Sequence, residues 1–165
     1  MGILKILFIL LLIIFPLAEI GRVQFSNGIA VSLNDVMLFL TIATWFIYKL
    51  ISRTKFKRPI LYKEIAAFSI IAFVALLFNI NKLNTESIFI SLLYLIRWVF
   101  YALLYFIILD FDANFKKLIV KVMFLAGFLT VIAGYVQFFL YPNLKNLYYL
   151  GWDDHLYRMF STFLD

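Results

Sequence analysis

Long apolar runs dominate this chain and exclude a water-soluble fold. Five of them, at about 3–20, 34–50, 60–80, 87–109 and 117–140, are separated by short polar connections. Hydrophobic residues make up 65% of the sequence and charged residues 15%, whereas a typical soluble domain has about half and about a quarter. A chain of 165 residues cannot hide that much apolar surface inside itself. We therefore expect lipid to be the solvent for most of it.

Each run approaches the roughly 20 apolar residues that a helix needs to cross a bilayer. The predicted fold is all-α: one polytopic membrane domain of five transmembrane helices, followed by a polar tail at 141–165. In the first run, Pro16 is expected to kink or end the helix because proline removes a backbone donor. A cleaved signal peptide is the competing interpretation of that run. Pro16 argues against it, since cleavage requires small residues at fixed positions.

Two local signals predict where helices begin. Ser32 is followed three residues later by Asp35, a spacing typical of a capping box. Pro59 is placed to occupy the first turn of the third helix, where a missing N–H does no harm.

The basic residues are distributed unevenly between the two ends of the runs. With the amino terminus in the cytoplasm, ten flank the cytoplasmic ends and four lie outside. The ten are Lys5, Lys49, Arg53, Lys55, Lys57, Arg58, Lys63, Lys116, Lys117 and Lys121, and the four are Arg22, Lys82, Lys145 and Arg158. Cytoplasmic loops of membrane proteins carry such an excess. The net charge of +6 therefore reflects membrane orientation and not nucleic-acid binding, and it predicts an external tail.

The fourth run carries polar side chains at spacings of three or four, which predicts that they share one helical face. They are Ser87, Ser91, Tyr94, Arg97, Tyr101 and Tyr105. Arg97 lies roughly 15 Å along the helix from Ser87, near the middle of a hydrocarbon core of about 30 Å. A guanidinium at that depth is costly unless it faces protein or water. Either neighbouring tyrosines and carbonyls satisfy Arg97, or Arg97 lines a cavity that receives an anionic group.

The tail at 141–165 is the first polar stretch rich in functional side chains. Asp153, Asp154 and His155 are consecutive, so their side chains diverge and seldom bind one ion. Because the chain has one histidine and no cysteine, we predict no metal site. No nucleophile–base pair or glycine-rich phosphate loop appears, so we predict no catalytic residue and no cofactor. Three interpretations of Arg158 stay open: an ion pair with Asp153 or Asp154, a simply solvated side chain, and a planar fork that binds phosphate oxygens.

The end of the fifth run and the tail resemble a known family. The residues concerned are Gln137, the aromatic run 138–141 with Pro142, Arg158, Ser161, Thr162 and Phe163. They are similar to the segment after the fifth transmembrane helix in O-antigen ligase and polymerase-like membrane glycosyltransferases. There, Leu-Asp is usually followed by Pro-Asn, whereas Asp165 is the last residue here. We therefore expect this chain to be the amino-terminal part of a longer protein.

The resemblance implies transfer of a glycan from a polyprenyl-diphosphate donor to an acceptor at the external face of the cytoplasmic (inner) membrane. Arg158 and Arg97 are the candidate diphosphate-binding residues, and the donor and the lipid bilayer are the implied partners. The family's proposed catalytic histidine lies in a later external loop, so His155 does not inherit its role. Neither the sugar nor the acceptor follows from the sequence. A transporter or flippase-like subunit and a non-catalytic membrane scaffold remain alternatives.

Overall fold

The computed structural model describes residues 1–17, 23–24 and 30–140. The tail at 141–165, including Arg158, lies outside the described residues. The helices are α1 (Gly2–Ile14), α2 (Leu33–Ser52), α3 (Tyr62–Asn79), α4 (Thr85–Asp110) and α5 (Ala113–Leu140). Short 3-10 turns at Phe15–Leu17 and Ile80–Lys82 extend α1 and α3. The all-α prediction is confirmed for this part of the chain.

Four of these helices, α2 to α5, are long and apolar enough to cross a membrane. The first apolar segment, Gly2–Leu17, is shorter. Several apolar helices in one chain indicate a multi-pass membrane protein. The count of five spans and their orientation remain predictions.

Two predicted helix ends are confirmed and a third is wrong. Asp35 accepts a hydrogen bond from the backbone N–H of Ser32 at 2.9 Å, and its own N–H donates to Ser32 Oγ at 3.3 Å. This is the expected capping box of α2. Pro16 lies in the 3-10 turn that follows α1. Pro59, however, is not in the first turn of α3: the helix begins at Tyr62, whose N–H closes a separate turn onto the Pro59 carbonyl at 3.2 Å.

Helices α4 and α5 begin before the predicted 87 and 117 because polar side chains cap them. Asn84 Oδ1 accepts the Ser87 N–H at 2.7 Å, which allows α4 to begin at Thr85. Asp112 Oδ2 accepts the Phe115 N–H at 3.1 Å, which allows α5 to begin at Ala113. Both are ordinary N-caps, in which a side-chain oxygen satisfies an N–H of the first turn.

The helices pack as a series of neighbours in the order α3, α4, α2, α1 and α5. The core lies among α1, α2, the end of α4 and the start of α5, and consists of Leu4, Phe8, Leu11, Leu38, Ile42, Trp45, Ile107, Phe111, Phe115 and Ile119. Helix α3 buries no residue and rests on α4, with the Phe68 and Trp98 ring centroids 4.4 Å apart. The outer faces of α3 and α5 thus present apolar side chains, as lipid contact requires.

A short β-ladder precedes α2, where the sequence indicated only a polar connection. Val23–Gln24 pairs antiparallel with Ala30–Val31, with Val23 opposite Val31. Within this ladder, the Ala30 carbonyl oxygen lies beside α4, where it accepts a hydrogen bond from Arg97 at 2.9 Å.

Candidate functional site

The side chain of Arg97 connects the middle of α4 to the beginning of α2. Arg97 Nη2 lies 2.7 Å from Asp35 Oδ2 and 2.9 Å from the Ala30 carbonyl oxygen. The same Asp35 oxygen accepts hydrogen bonds from the backbone N–H and the hydroxyl of Ser32. The capping box that starts α2 therefore also holds the carboxylate against Arg97.

This environment explains how an arginine is accommodated in a membrane-type helix. The Asp35 carboxylate is mostly buried and neutralises the guanidinium, whose side chain is 36% exposed. The ring of Tyr94 lies 5.4 Å from Arg97 Cζ and offers its negative face. Of the two interpretations of Arg97, satisfaction by neighbours is thus supported, although a carboxylate contributes where only tyrosines and carbonyls were expected.

The second interpretation also finds support, because Arg97 lines a cavity of about 170 Å³. Asp35 and Arg97 are its charged residues. Apolar side chains of α2 and α4, among them Leu38, Leu93 and Phe100, form most of the remaining lining. The cavity therefore combines two opposite charges with a mostly apolar wall.

Part of the Arg97 guanidinium has no hydrogen-bonding partner among the described residues. A guanidinium carries five N–H donors, and the two protein bonds of Arg97 both use Nη2. The donors on Nε and Nη1 make no bond within 1–17, 23–24 and 30–140. Each parallel pair of donors on a guanidinium, Nε with Nη2 or Nη1 with Nη2, includes the engaged Nη2, so Nε and Nη1 are left to make single hydrogen bonds to phosphate or carboxylate oxygens.

The expected polar face of α4 is divided between two neighbours. Tyr94 and Arg97 line the cavity beside α2, whereas Ser91 lies in a groove with Ala72 of α3 and Trp98. Ser91 and Arg97 are six residues apart, which at 3.6 residues per turn separates them by roughly 120° around the helix. The prediction that all six polar residues share one face is therefore wrong for Ser91.

A second ion pair, absent from the predictions, joins the carboxyl-terminal ends of α2 and α4. Asp110 Oδ2 lies 2.8 Å from Lys49 Nζ and accepts the Trp45 indole N–H at 2.9 Å. Lys57 Nζ is 3.8 Å from Asp110 Oδ1 and donates to the Leu109 carbonyl at 2.7 Å. The side chains of Lys49 and Asp110 are 4% and 5% exposed. The sequence signal for this pair is that Lys49 and Asp110 each lie at the end of an apolar run.

A third ion pair lies beside the turn between α4 and α5, at the same end of the bundle. Lys5 of α1 pairs with Asp112, and its Nζ lies 5.0 Å from the Phe115 ring centroid. The hydrogen bond from Lys5, followed by the Phe115 N–H, lowers the pKa of the Asp112 carboxyl. Lys5, Lys49 and Lys57, all assigned to the cytoplasmic side, thus lie at one end of the bundle.

Small residues recur every four positions on α5, at Ala126, Thr130 and Gly134, and this stripe contributes to packing. Gly134 is buried, and Ala126 faces Pro16 at the end of α1. Arg158 lies outside the described residues, so its proximity to Arg97 is untested. In the described ranges no three His, Asp or Glu side chains are grouped to hold a metal ion.

Comparisons with protein-family models, with characterised proteins and with solved structures give no match for this chain.

Proposed function

We propose that this chain acts as the amino-terminal membrane part of an O-antigen ligase-like glycosyltransferase. In this role it would bind the polyprenyl-diphosphate donor of a glycan that is transferred to an acceptor at the external face of the cytoplasmic membrane. The helix Gly2–Leu17, roughly 25 Å long, would be the shortest of five spans. The amino terminus would lie in the cytoplasm and 141–165 outside.

The incompletely satisfied guanidinium of Arg97 carries this proposal. Its remaining donors and the apolar lining of its cavity suit a diphosphate joined to a hydrocarbon chain. Arg97 would neutralise charge on the diphosphate as it departs from the sugar. This contribution is electrostatic, so Arg97 binds the leaving group and is not assigned a role as nucleophile or base.

The position of Arg97 along α4 is consistent with glycan transfer at the external face of the membrane. Arg97 lies thirteen residues before Asp110, roughly 20 Å along the helix. If the basic end with Lys49 and Lys57 is cytoplasmic, the cavity falls in the outer half of the membrane. The short β-ladder beside the site is non-helical backbone, which is tolerated at such depth only against protein or a polar cavity.

Binding of a long-chain polyprenyl diphosphate to the purified chain in detergent, followed by native mass spectrometry, tests the proposal. The polyprenyl alcohol of equal length is the ligand control. We expect preference for the diphosphate and a loss of at least about tenfold in Arg97→Gln, since charged hydrogen bonds contribute roughly 1.5–3 kcal/mol. Lys82→Gln removes an equal charge elsewhere and should bind normally. Equal binding of alcohol and diphosphate would overturn the proposal.

The second candidate function is a non-catalytic scaffold, which the Asp35–Arg97 ion pair favours. In a scaffold the pair only fixes helix packing, and Arg97→Leu in the full protein would leave glycan transfer unchanged at equal expression. In the transferase the same substitution abolishes transfer. A transporter or flippase-like subunit would instead translocate a lipid-linked substrate without forming a new glycosidic bond.

A further inference from the structure

The segment 53–61, which connects α2 to α3, combines unpaired cations with exposed apolar side chains. Its sequence, RTKFKRPIL, has four basic residues and no acid. Lys57 is engaged by Asp110 and the Leu109 carbonyl. Arg53, Lys55 and Arg58 are exposed and form no ion pair with any residue that the structure describes. Three positive charges are therefore left for an external partner.

The segment is docked on the bundle, so these charges are held in place. Lys49 donates to the Lys55 carbonyl at 3.1 Å. The Phe56 ring centroid lies 5.4 Å from that of Trp45, and Pro59 is buried. Cations whose backbone is already ordered lose less conformational freedom on binding than cations on a free loop.

The backbone of Arg53 supplies an independent observation. Arg53 is the C-cap of α2 and has a left-handed backbone conformation, with φ 48°. Glycine or asparagine usually occupies this position, since a Cβ atom is unfavourable there. An arginine at this cap adds a cation two residues before Lys55 at the expense of a better helix end. Residues held in unfavourable backbone conformations are concentrated at functional sites.

The apolar neighbours of these cations identify the kind of partner. Ile51, Ile60 and Leu61 are 79%, 90% and 51% exposed. A soluble polyanion would neutralise the cations and leave these side chains in water. A phospholipid surface can contact both the cations and the apolar side chains, because its phosphates bind the cations while its acyl chains cover the apolar residues.

We propose that the segment 53–61 is a binding surface for anionic phospholipid headgroups, with Arg53, Lys55 and Arg58 contacting the phosphates. This inference does not depend on the proposed transferase activity. Each basic residue near an anionic membrane surface contributes about fivefold in affinity, so the three together contribute on the order of 100-fold.

Native mass spectrometry of the full chain in detergent, titrated with phosphatidylglycerol or phosphatidylcholine, tests this surface. The unchanged chain is expected to retain phosphatidylglycerol in preference to phosphatidylcholine. The triple variant Arg53→Gly, Lys55→Gln and Arg58→Gln is expected to lose that preference. Arg53→Gly should also preserve the fold, because glycine favours the conformation found there.

A matched control separates this surface from net charge. Lys116→Gln, Lys117→Gln and Lys121→Gln remove three charges from α5, and the preference for phosphatidylglycerol should persist. Arg58→Gln alone alters an exposed side chain and should weaken binding about fivefold, so the test does not depend on the triple variant folding. Equal losses in the two triple variants, or an unaltered preference in the first, would overturn the proposal.

Discussion

Asp35 and Arg97 form an ion pair whose two members come from different levels of their helices: the first turn of α2 and the middle of α4. A second pair, Lys49 with Asp110, joins the same helices with the signs exchanged. The pairs are separated by fourteen residues on α2 and thirteen on α4, roughly 20 Å on each. Together they fix the register of the two helices, because sliding one helix past the other would separate both pairs.

The neutralisation of Arg97 by Asp35 predicts competition between this carboxylate and a bound diphosphate. Asp35→Asn removes the competing charge but keeps an oxygen that can accept the Ser32 N–H. We expect this variant to bind a polyprenyl diphosphate several-fold more tightly than the unchanged chain, and to be less stable by about 2 kcal/mol because a charged hydrogen bond is lost. Ligand titration and denaturant unfolding in detergent measure the two effects. A fall in both affinity and stability would show that Asp35 supports the ligand.

For the Lys49–Asp110 pair, the loss of stability should depend strongly on whether one member or both are replaced. Both side chains are almost fully buried, and Asp110 also satisfies the Trp45 indole N–H. Asp110→Ala would leave a buried ammonium and a buried N–H without their partner, so we expect a loss of about 3–5 kcal/mol in the free energy of unfolding. The double variant Lys49→Met and Asp110→Leu replaces the pair with apolar volume and should lose much less.

That contrast is measured by reversible unfolding of the single and double variants in one detergent. Asp112→Asn provides a comparison at an exposed ion pair while keeping the cap of α5, and the expected loss is smaller. If the double variant were as unstable as Asp110→Ala, the attraction within the ion pair would exceed the free-energy cost of burying its two charges.

Features that depend on nearby residues were predictable from the sequence, and features that depend on which helices are neighbours were not. The Ser32–Asp35 cap follows from residue spacing, and the end of α1 just before Pro16 follows from the missing N–H of proline. Asn84 and Asp112 are equally local caps, but both fall in the polar connections between the predicted runs. The pairing of Asp35 with Arg97 spans 62 residues. It requires α2 to begin beside the middle of α4, and no local pattern specifies that level.

The lowered pKa of Asp112 predicts how acid affects the end of the bundle where α1 meets the turn between α4 and α5. The hydrogen bond from Lys5 and the Phe115 N–H favour the carboxylate in the folded state. A carboxyl whose folded pKa is depressed contributes stability above its unfolded pKa, which is about 3.9 for aspartate, and loses it as the pH falls further. We therefore expect part of the acid destabilisation below about pH 4 to disappear in Asp112→Asn.

Thermal unfolding at a series of pH values between neutral and about 3 measures this contribution. Asparagine is as good an N-cap as aspartate, so the variant should still begin α5 at the same residue. Glu86→Gln, which alters an acid without an ion pair in the described part of the chain, should retain the acid dependence of the unchanged protein. Parallel curves for the unchanged protein and Asp112→Asn would contradict the role assigned to Lys5.

The orientation of the bundle decides whether the Arg97 cavity can act at the external face. Lys55 lies near the Lys49–Asp110 end, whereas Lys82 lies in the 3-10 turn between α3 and α4, at the other end. The chain has no cysteine, so Lys55→Cys and Lys82→Cys each introduce a single thiol at an exposed position. A membrane-impermeant maleimide applied to intact cells should label Lys82→Cys, and should label Lys55→Cys only after lysis. The opposite result would bring the cavity nearer the cytoplasm and contradict both the positive-inside assignment and external glycan transfer.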